Sequence, residues 1–248
     1  MFKLSNSEKF DELFKKFDFE TQKKARNLRI KFSCNNDEKN GYIGLKQCIN
    51  ELYRFRYNPY YKDYDFIDFC IQIRNIKFHR NDDNYFFLTD DTIEKFKEVL
   101  KKVEHPDNVL AKATKNVYSA NLSSNVKEVM NEMNINSYTH IPIYDENNKK
   151  LVGIFSEFSL YDYINKNGVI LIEDDTTFQQ IEDCIKIENS NERVIFKSKT
   201  DLYDDTVNDF IKQYKNKNKL DCIMITDSGS ADEKVIGILT IWDVIGRE

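Results

Sequence analysis

One order of residue patterns occurs twice in this chain, about eighty residues apart, and that repetition restricts the architecture more than any single motif does. In the first copy NVYSA (residues 116–120) reads as a strand and SSNVKEVMNEM as a helix with Val126, Val129, Met130 and Met133 on one side. Two apolar runs follow, HIPIYD and LVGIFS, separated by the turn-rich ENNKK, and then the helix-like EFSLYDYI. The second copy repeats the order: RVIFKS as a strand, DDTVNDFIKQY as a helix carrying Val207, Phe210, Ile211 and Tyr214, then CIMITD, the turn-rich SGSADEK, VIGILT and a final WDVI. Between the copies VILIEDDTTFQQIEDCI reads as a connector that adds one strand and one helix.

The residues before the repeat have a different period. Phe10, Leu13, Phe14 and Phe17 recur at helical spacing behind Ser5 and Glu8, which stand at capping-box separation. Leu45, Cys48, Ile49 and Leu52 give a second helix, and Ile93, Phe96, Leu100 and Val103 a last one opened by Asp91 and Glu94. Between them DYDFIDFCIQIRNIKFHRND places Phe66, Phe69, Cys70 and Ile73 on one face and Ile67, Ile71 and Phe78 on another. A helix apolar most of the way round belongs at the centre of a bundle, or between its own bundle and a second subunit. Pro106 then stops the helical pattern. The fold expected is therefore α+β multidomain. A helical domain over 1–104 and a linker over 105–112 lead to an α/β module over 113–248, whose repeats occupy about 113–167 and 191–248 around a connector at 168–190.

At 248 residues, 40% of them apolar, both domains can bury a core without staples. Five widely spaced cysteines, never as C-x-x-C, indicate neither a disulfide framework nor a zinc site and read as buried thiols in a reducing compartment. No apolar leader or membrane-length run is present, so a cytoplasmic location is expected. Net charge divides as +3 over residues 1–104 and −8 over 105–248. The first value hints weakly at a polyanionic partner, and the second makes the repeat module an unlikely surface for long nucleic acid.

The second copy contains VIGILTIWDVI and the first LVGIFSEFSLY. On these strings the module resembles a tandem pair of CBS (cystathionine β-synthase) domains, in which h-G-h-h-T-x-x-D-h-h forms the core of each copy. Gly237, Thr240 and Asp243 match in full, whereas Gly153 and Ser156 match but Ser159 stands where the Asp would be. The resemblance implies an adenine-nucleotide or adenosine-type regulatory ligand and no required cofactor. Thr240 would offer its hydroxyl and nearby helix N-terminal amides to a phosphate, and Asp243 would accept from both ribose hydroxyls. Ser159 lacks that bidentate acceptor, so the Thr240 cleft is the expected site. Residues 117–119 and 194–197 would flank the base, with Lys197 in reach of a phosphate. Thr240 and Asp243 are also natural helix-capping residues.

The helical domain carries Arg74-Asn75-Ile76-Lys77-Phe78-His79, which resembles the R-N-x-x-x-H motif of the HEPN family, helical domains many of which are dimeric, metal-independent ribonucleases. The resemblance implies RNA cleavage by its own 2′-hydroxyl, with His79 as general acid or base and Arg74 on the scissile phosphate. Asn75, one turn from His79, would orient the ring or the substrate. The plainer reading puts His79 and Arg80 at a helix C-terminus, where the macrodipole favours them. His140 is expected to be structural, and no metal site is expected. Together these readings describe a homodimeric, ligand-regulated ribonuclease, similar in layout to stress or defence effectors that join a sensor to a toxin. The alternative is a non-catalytic regulator that reports nucleotide state to a partner.

Overall fold

The computed structural model describes residues 4–27, 44–80, 88–147, 150–168, 172–187, 194–217 and 219–245, with the side chains of 79 and 80 excepted. The chain divides into two compact units, Met1–Asp107 and Asn108–Glu248.

The described part of the first unit is helical: α1 (Asn6–Asn27), α2 (Leu45–Arg54), α3 (Tyr64–Arg80) and α4 (Asp90–Glu104). The predicted box closes at the start of α1, where the Ser5 amide donates to Glu8 Oε2 at 2.8 Å and the Glu8 amide to Ser5 Oγ at 3.3 Å. At α4 the cap is Thr89, whose hydroxyl accepts from the Thr92 amide, rather than the expected Asp91. The rings of Phe10, Phe14 and Phe17 converge on Phe96 with centroids 5.3 to 6.1 Å apart, the tilted arrangement that aromatic quadrupoles favour. Beneath them the Thr21 and Tyr60 hydroxyls share a buried hydrogen bond of 3.0 Å.

Of the two places expected for α3, it does not take the first, the centre of its own bundle. It buries Ile67, Cys70 and Ile73 but leaves Phe69, Ile76 and Phe78 exposed. Its rotation is fixed by Lys77, whose ammonium lies 2.9 Å from both Asp11 carboxylate oxygens and 2.6 Å from Ser7 Oγ on α1. A helix turned by that tether presents one face to its own bundle and keeps the other outward.

The second unit contains two three-stranded sheets of identical topology. In one, β1 (Ala120–Asn121) runs parallel to β2 (His140–Tyr144), which pairs antiparallel with β3 (Leu151–Ser156). In the other, β4 (Val194–Ser198), β5 (Cys222–Thr226) and β6 (Gly237–Thr240) repeat the pattern. Helices α6 (Val126–Asn136) and α7 (Glu157–Asn167) accompany the first sheet, and α9 (Tyr203–Lys215) and α10 (Ile241–Ile245) the second. The strand expected over NVYSA shrinks to Ala120–Asn121.

Two short helices are exchanged between the repeats. Val109–Lys112, in the stretch expected to be linker, is α5, and Val109 and Ala113 belong to the core around β5 and β6 of the second repeat. The Thr114 amide and carbonyl extend this contact by bonding Ile238 at 2.9 and 3.1 Å. Conversely, the supposed connector folds as a 3-10 turn (Phe178–Ile181) and α8 (Glu182–Ile185), and its Phe178, Ile181 and Ile185 enter the core of the first repeat. The strand expected there falls partly on residues 169–171, outside the described residues.

The motif glycines serve this exchange. A Cβ on Gly153 would lie 2.2 Å from the Ile185 carbonyl oxygen, and one on Gly237 would lie 3.0 Å from Leu110 Cδ1. Between the sheets Ile154, Cys222, Met224, Val235 and Ile238 form a shared core, crossed by one polar link in which the Val235 amide donates to the Tyr144 hydroxyl at 2.9 Å.

Candidate functional site

Thr240 ends β6 and Asp243 lies in the first turn of α10. The Asp243 Oδ2 accepts from the Thr240 amide at 2.8 Å and from its hydroxyl at 3.0 Å. Both bonds run from Thr240 to Asp243 and cap a five-residue helix, which alone forms no stable helix in water. At the equivalent junction the first repeat has no carboxylate, and its cap is reciprocal. The Ser156 amide donates to Ser159 Oγ at 3.1 Å, the Phe158 amide to Ser156 Oγ at 3.1 Å, and the Ser159 hydroxyl to the Ile154 carbonyl at 3.2 Å. Both serines are buried.

The two junctions differ in what surrounds them. Thr240, Trp242 and Asp243 line a cleft of about 240 Å³ whose other walls come from the first repeat and the segment leading to it. Thr114, Val117 and Tyr118 form one wall, and Ser137 to Ile141 form another. Tyr118 and Tyr138 stack with centroids 5.9 Å apart at 14°. Burial, reinforced by the Glu132 and Glu128 carboxylates, raises the Tyr118 phenol above its ordinary value and so keeps it a donor. Trp242 is 70% exposed, a large apolar face bordering the cleft. The positive φ of Asn116 and Ser137, 56° at each, turns the chain into these two walls.

His140 opens β2 opposite Ser156 and accepts from or donates to the Thr139 hydroxyl through Nδ1 at 2.9 Å. Burial pushes its imidazole down to about 4, because a charge there loses its hydration. Near neutrality the ring is uncharged and offers hydrogen bonds without a cation.

Of the residues expected at this site, Thr240 and Asp243 thus come together on the cleft, joined by Val117 and Tyr118. Ser156 and Ser159 bond each other and the backbone. Gly237 packs against α5. Lys197 lies on β4 with its ammonium 2.6 Å from Asp209, and neither it nor the rest of residues 194–197 is among the lining residues. Sequence reasoning missed Trp242, Tyr138 and the placement of His140. Trp242 stands inside the T-x-x-D string, and the chain's only tryptophan at that position was the available signal.

In the helical unit, Arg74 and Asn75 are exposed on α3. The Arg74 Nη1 donates to Asn75 Oδ1 at 3.3 Å, and the guanidinium lies 5.0 Å from the Phe78 ring centroid. The backbone of His79 continues α3, but its side chain falls outside the described residues. No cluster of three or more His, Cys, Asp or Glu suited to a metal occurs among the described residues, and none of their helices is long and apolar enough to cross a membrane.

No curated protein matches the chain. Solved structures similar to it include the CBS domain pair of protein MJ0100 in complex with 5′-methylthioadenosine and S-adenosyl-L-methionine, at 20% identity and a TM-score of 0.39, over 56% of this chain and 92% of that one. The acetoin utilization protein AcuB of Vibrio cholerae is similar at 18% identity and a TM-score of 0.40, over 56% and 88%. The CBS domain protein TA0289 of Thermoplasma acidophilum is similar at 19% and 0.40, over 57% and 69%. Residues 109–166, from α5 through most of α7, match the family model of the CBS domain.

Proposed function

We propose that this chain is a cytoplasmic regulatory protein whose second unit senses an adenosine-type ligand in the Thr240–Asp243 cleft. The observation that carries the reading is the convergence, in one cleft, of a carboxylate with the Trp242, Tyr118 and Tyr138 rings. A carboxylate accepts hydrogen bonds from vicinal hydroxyls, and flat aromatic faces suit a purine. The protein MJ0100, whose CBS pair holds two adenosine derivatives, illustrates the ligand class. With Ser159 in the place of Asp243, one such cleft per chain is expected.

A thermal-shift screen of adenosine and adenine nucleotides on wild type and Asp243→Asn tests this, since a ligand that binds the folded state raises the unfolding midpoint. A shift confined to wild type supports the site, and an equal shift in Asp243→Asn removes it.

A second reading makes the helical unit a ribonuclease, with two copies meeting across α3. It is favoured by the exposure of Arg74 and Asn75 beside the outward apolar residues Phe69 and Ile76. Arg74→Ala and His79→Ala should abolish metal-independent cleavage of a fluorescent RNA while leaving the helical circular dichroism intact. Equal cleavage by wild type and both variants, or none by wild type, leaves the non-catalytic regulator.

A further inference from the structure

Away from Arg74 and Asn75 the helical unit carries a second exposed surface, where α2 ends and α3 begins. Three tyrosine rings meet there. Tyr53 lies 5.5 Å from Tyr61 and 4.6 Å from Tyr64 between centroids, tilted by 40° and 53°. Tyr53 is 40% exposed and Phe55 45%, whereas Tyr57 and Tyr60 of the same loop are buried. Aromatic area is thus left in solvent beside a core that takes the neighbouring rings.

Cations border these rings. The Arg56 guanidinium lies 5.2 Å from the Tyr61 centroid and the Lys46 ammonium 5.0 Å from that of Tyr64, and Lys62, next to Tyr61, is exposed. Among the described residues neither Arg56 nor Lys62 forms an ion pair. The nearby carboxylates are mostly engaged: Glu51 accepts from Arg54 at 3.0 Å, Asp63 from Lys102 at 2.7 Å, and Asp68 from Lys46. The Arg54 side chain is 70% exposed, and a pair so open to water contributes little, so its guanidinium can turn to another anion. Asp65, exposed in the first turn of α3, keeps the net attraction for anions modest.

Rings with cations at their edges suit a ligand that alternates flat apolar faces with single negative charges. Single-stranded nucleic acid has that alternation, its bases stacking on aromatic side chains and its phosphates meeting Arg and Lys. A duplex keeps its base faces inside the stack, and an acidic peptide offers the charges without the faces. We propose that the surface from Tyr53 to Tyr64 binds single-stranded nucleic acid, irrespective of base sequence because every base has a flat face. Tyr64 precedes Arg74 by ten residues on α3, so the surface is separate from that motif and does not depend on the ribonuclease reading. A strand held there gives the regulatory chain a target to which its sensing unit is brought.

The test titrates the full-length protein into fluorescein-labelled oligo(dT), oligo(U) and a DNA duplex of equal length at low salt, with anisotropy as the readout. Oligo(dT) has no 2′-hydroxyl, so its binding is read whether or not the helical unit cleaves RNA. At least one single strand should bind about tenfold or more tightly than the duplex, and which of them does so assigns the surface to DNA, RNA or both. Tyr53→Ala and Phe55→Ser, each with wild-type helical circular dichroism, should weaken that binding about fivefold or more, while Tyr53→Phe binds as wild type. Arg56→Asn removes the charge with a residue that tolerates the positive φ of 54° at this position. It should reduce the slope of log affinity against log salt by about 0.7, the share of one phosphate contact on a single strand. The proposal is overturned if neither strand binds, if the duplex binds equally well, or if Tyr53→Ala and Phe55→Ser both bind as wild type. Poly-L-glutamate competing as well as unlabelled oligo(dT) overturns it in favour of an acidic protein partner.

Discussion

Replacement of His140 by Gln should make the stability of the second unit less dependent on acid, by an amount that the structure sets. In the folded state burial holds the imidazole down to about 4, against 6.5 for an ordinary histidine. Between those values the unfolded chain binds a proton that the folded one does not, so stability falls as pH falls. The favourable contribution is complete above about pH 6.5, drains away as pH falls from there and is exhausted below about 4. At about 1.4 kcal/mol for each pH unit, the loss across the window reaches about 3 kcal/mol, a ceiling because the ring retains some contact with water. The assay is urea denaturation followed by Trp242 fluorescence, at pH 7, 6, 5 and 4, with stability taken by linear extrapolation. Carboxylates contribute equally to both proteins, so the difference between them isolates the imidazole. Relative to His140→Gln, wild type should lose about 2 to 3 kcal/mol on going from pH 7 to 4. A difference that stays constant within about 0.5 kcal/mol, a typical limit for separating neighbouring effects, would refute the assignment of a buried, neutral histidine.

The remaining expectations concern packing, the inter-repeat link and a cap. Gly153→Ala places a methyl against the backbone oxygen of Ile185 and should cost about 3 kcal/mol or more. Gly237→Ala meets the movable end of Leu110 and should cost about 1 kcal/mol, so chemical denaturation of the pair should rank them clearly. Tyr144→Phe removes the acceptor of the buried Val235 amide and should cost about 1 to 3 kcal/mol, read by the same method. Asn108→Ala deletes the side-chain acceptor of the Ala111 amide at the start of α5 and should cost about 1 kcal/mol, with a loss confined to the second unit as judged by Trp242 fluorescence.

The parts of this fold that the sequence made legible are those with enough residues to display a period. Helices α1, α4, α6 and α9 each repeat apolar residues over several turns, and strands β2, β3 and β5 are unbroken apolar runs. Helix α5 has four residues, too few for a periodicity to emerge in the stretch that reads as linker, and although a helix is expected in the connector, the docking of α8 on the first repeat has no local signal. For α3 the composition was visible but not its rotation, which depends on Lys77 finding Asp11 and Ser7 on another helix. The cleft divides the same way. Thr240 and Asp243 form a local string at a strand-to-helix junction, whereas Ser137 to His140 reach the same cleft from a hundred residues earlier. Lys197 appealed as a phosphate ligand through its charge alone, and its contact with Asp209 is invisible without the packing of β4 against α9.

The exchange of α5 and α8 also has a consequence for where this chain can be cut. The stretch 109–166 that matches the family model is not by itself a unit of folding. Severed at Lys166, it would carry α5 with no β6 to receive it and a groove at Gly153 with no α8 to fill it. A lone repeat of this kind could complete itself only by trading helices with a second molecule, at a concentration cost that covalent fusion abolishes by making both trades intramolecular. Two repeats in one chain thereby fix a reciprocal swap that would otherwise be remade at every encounter.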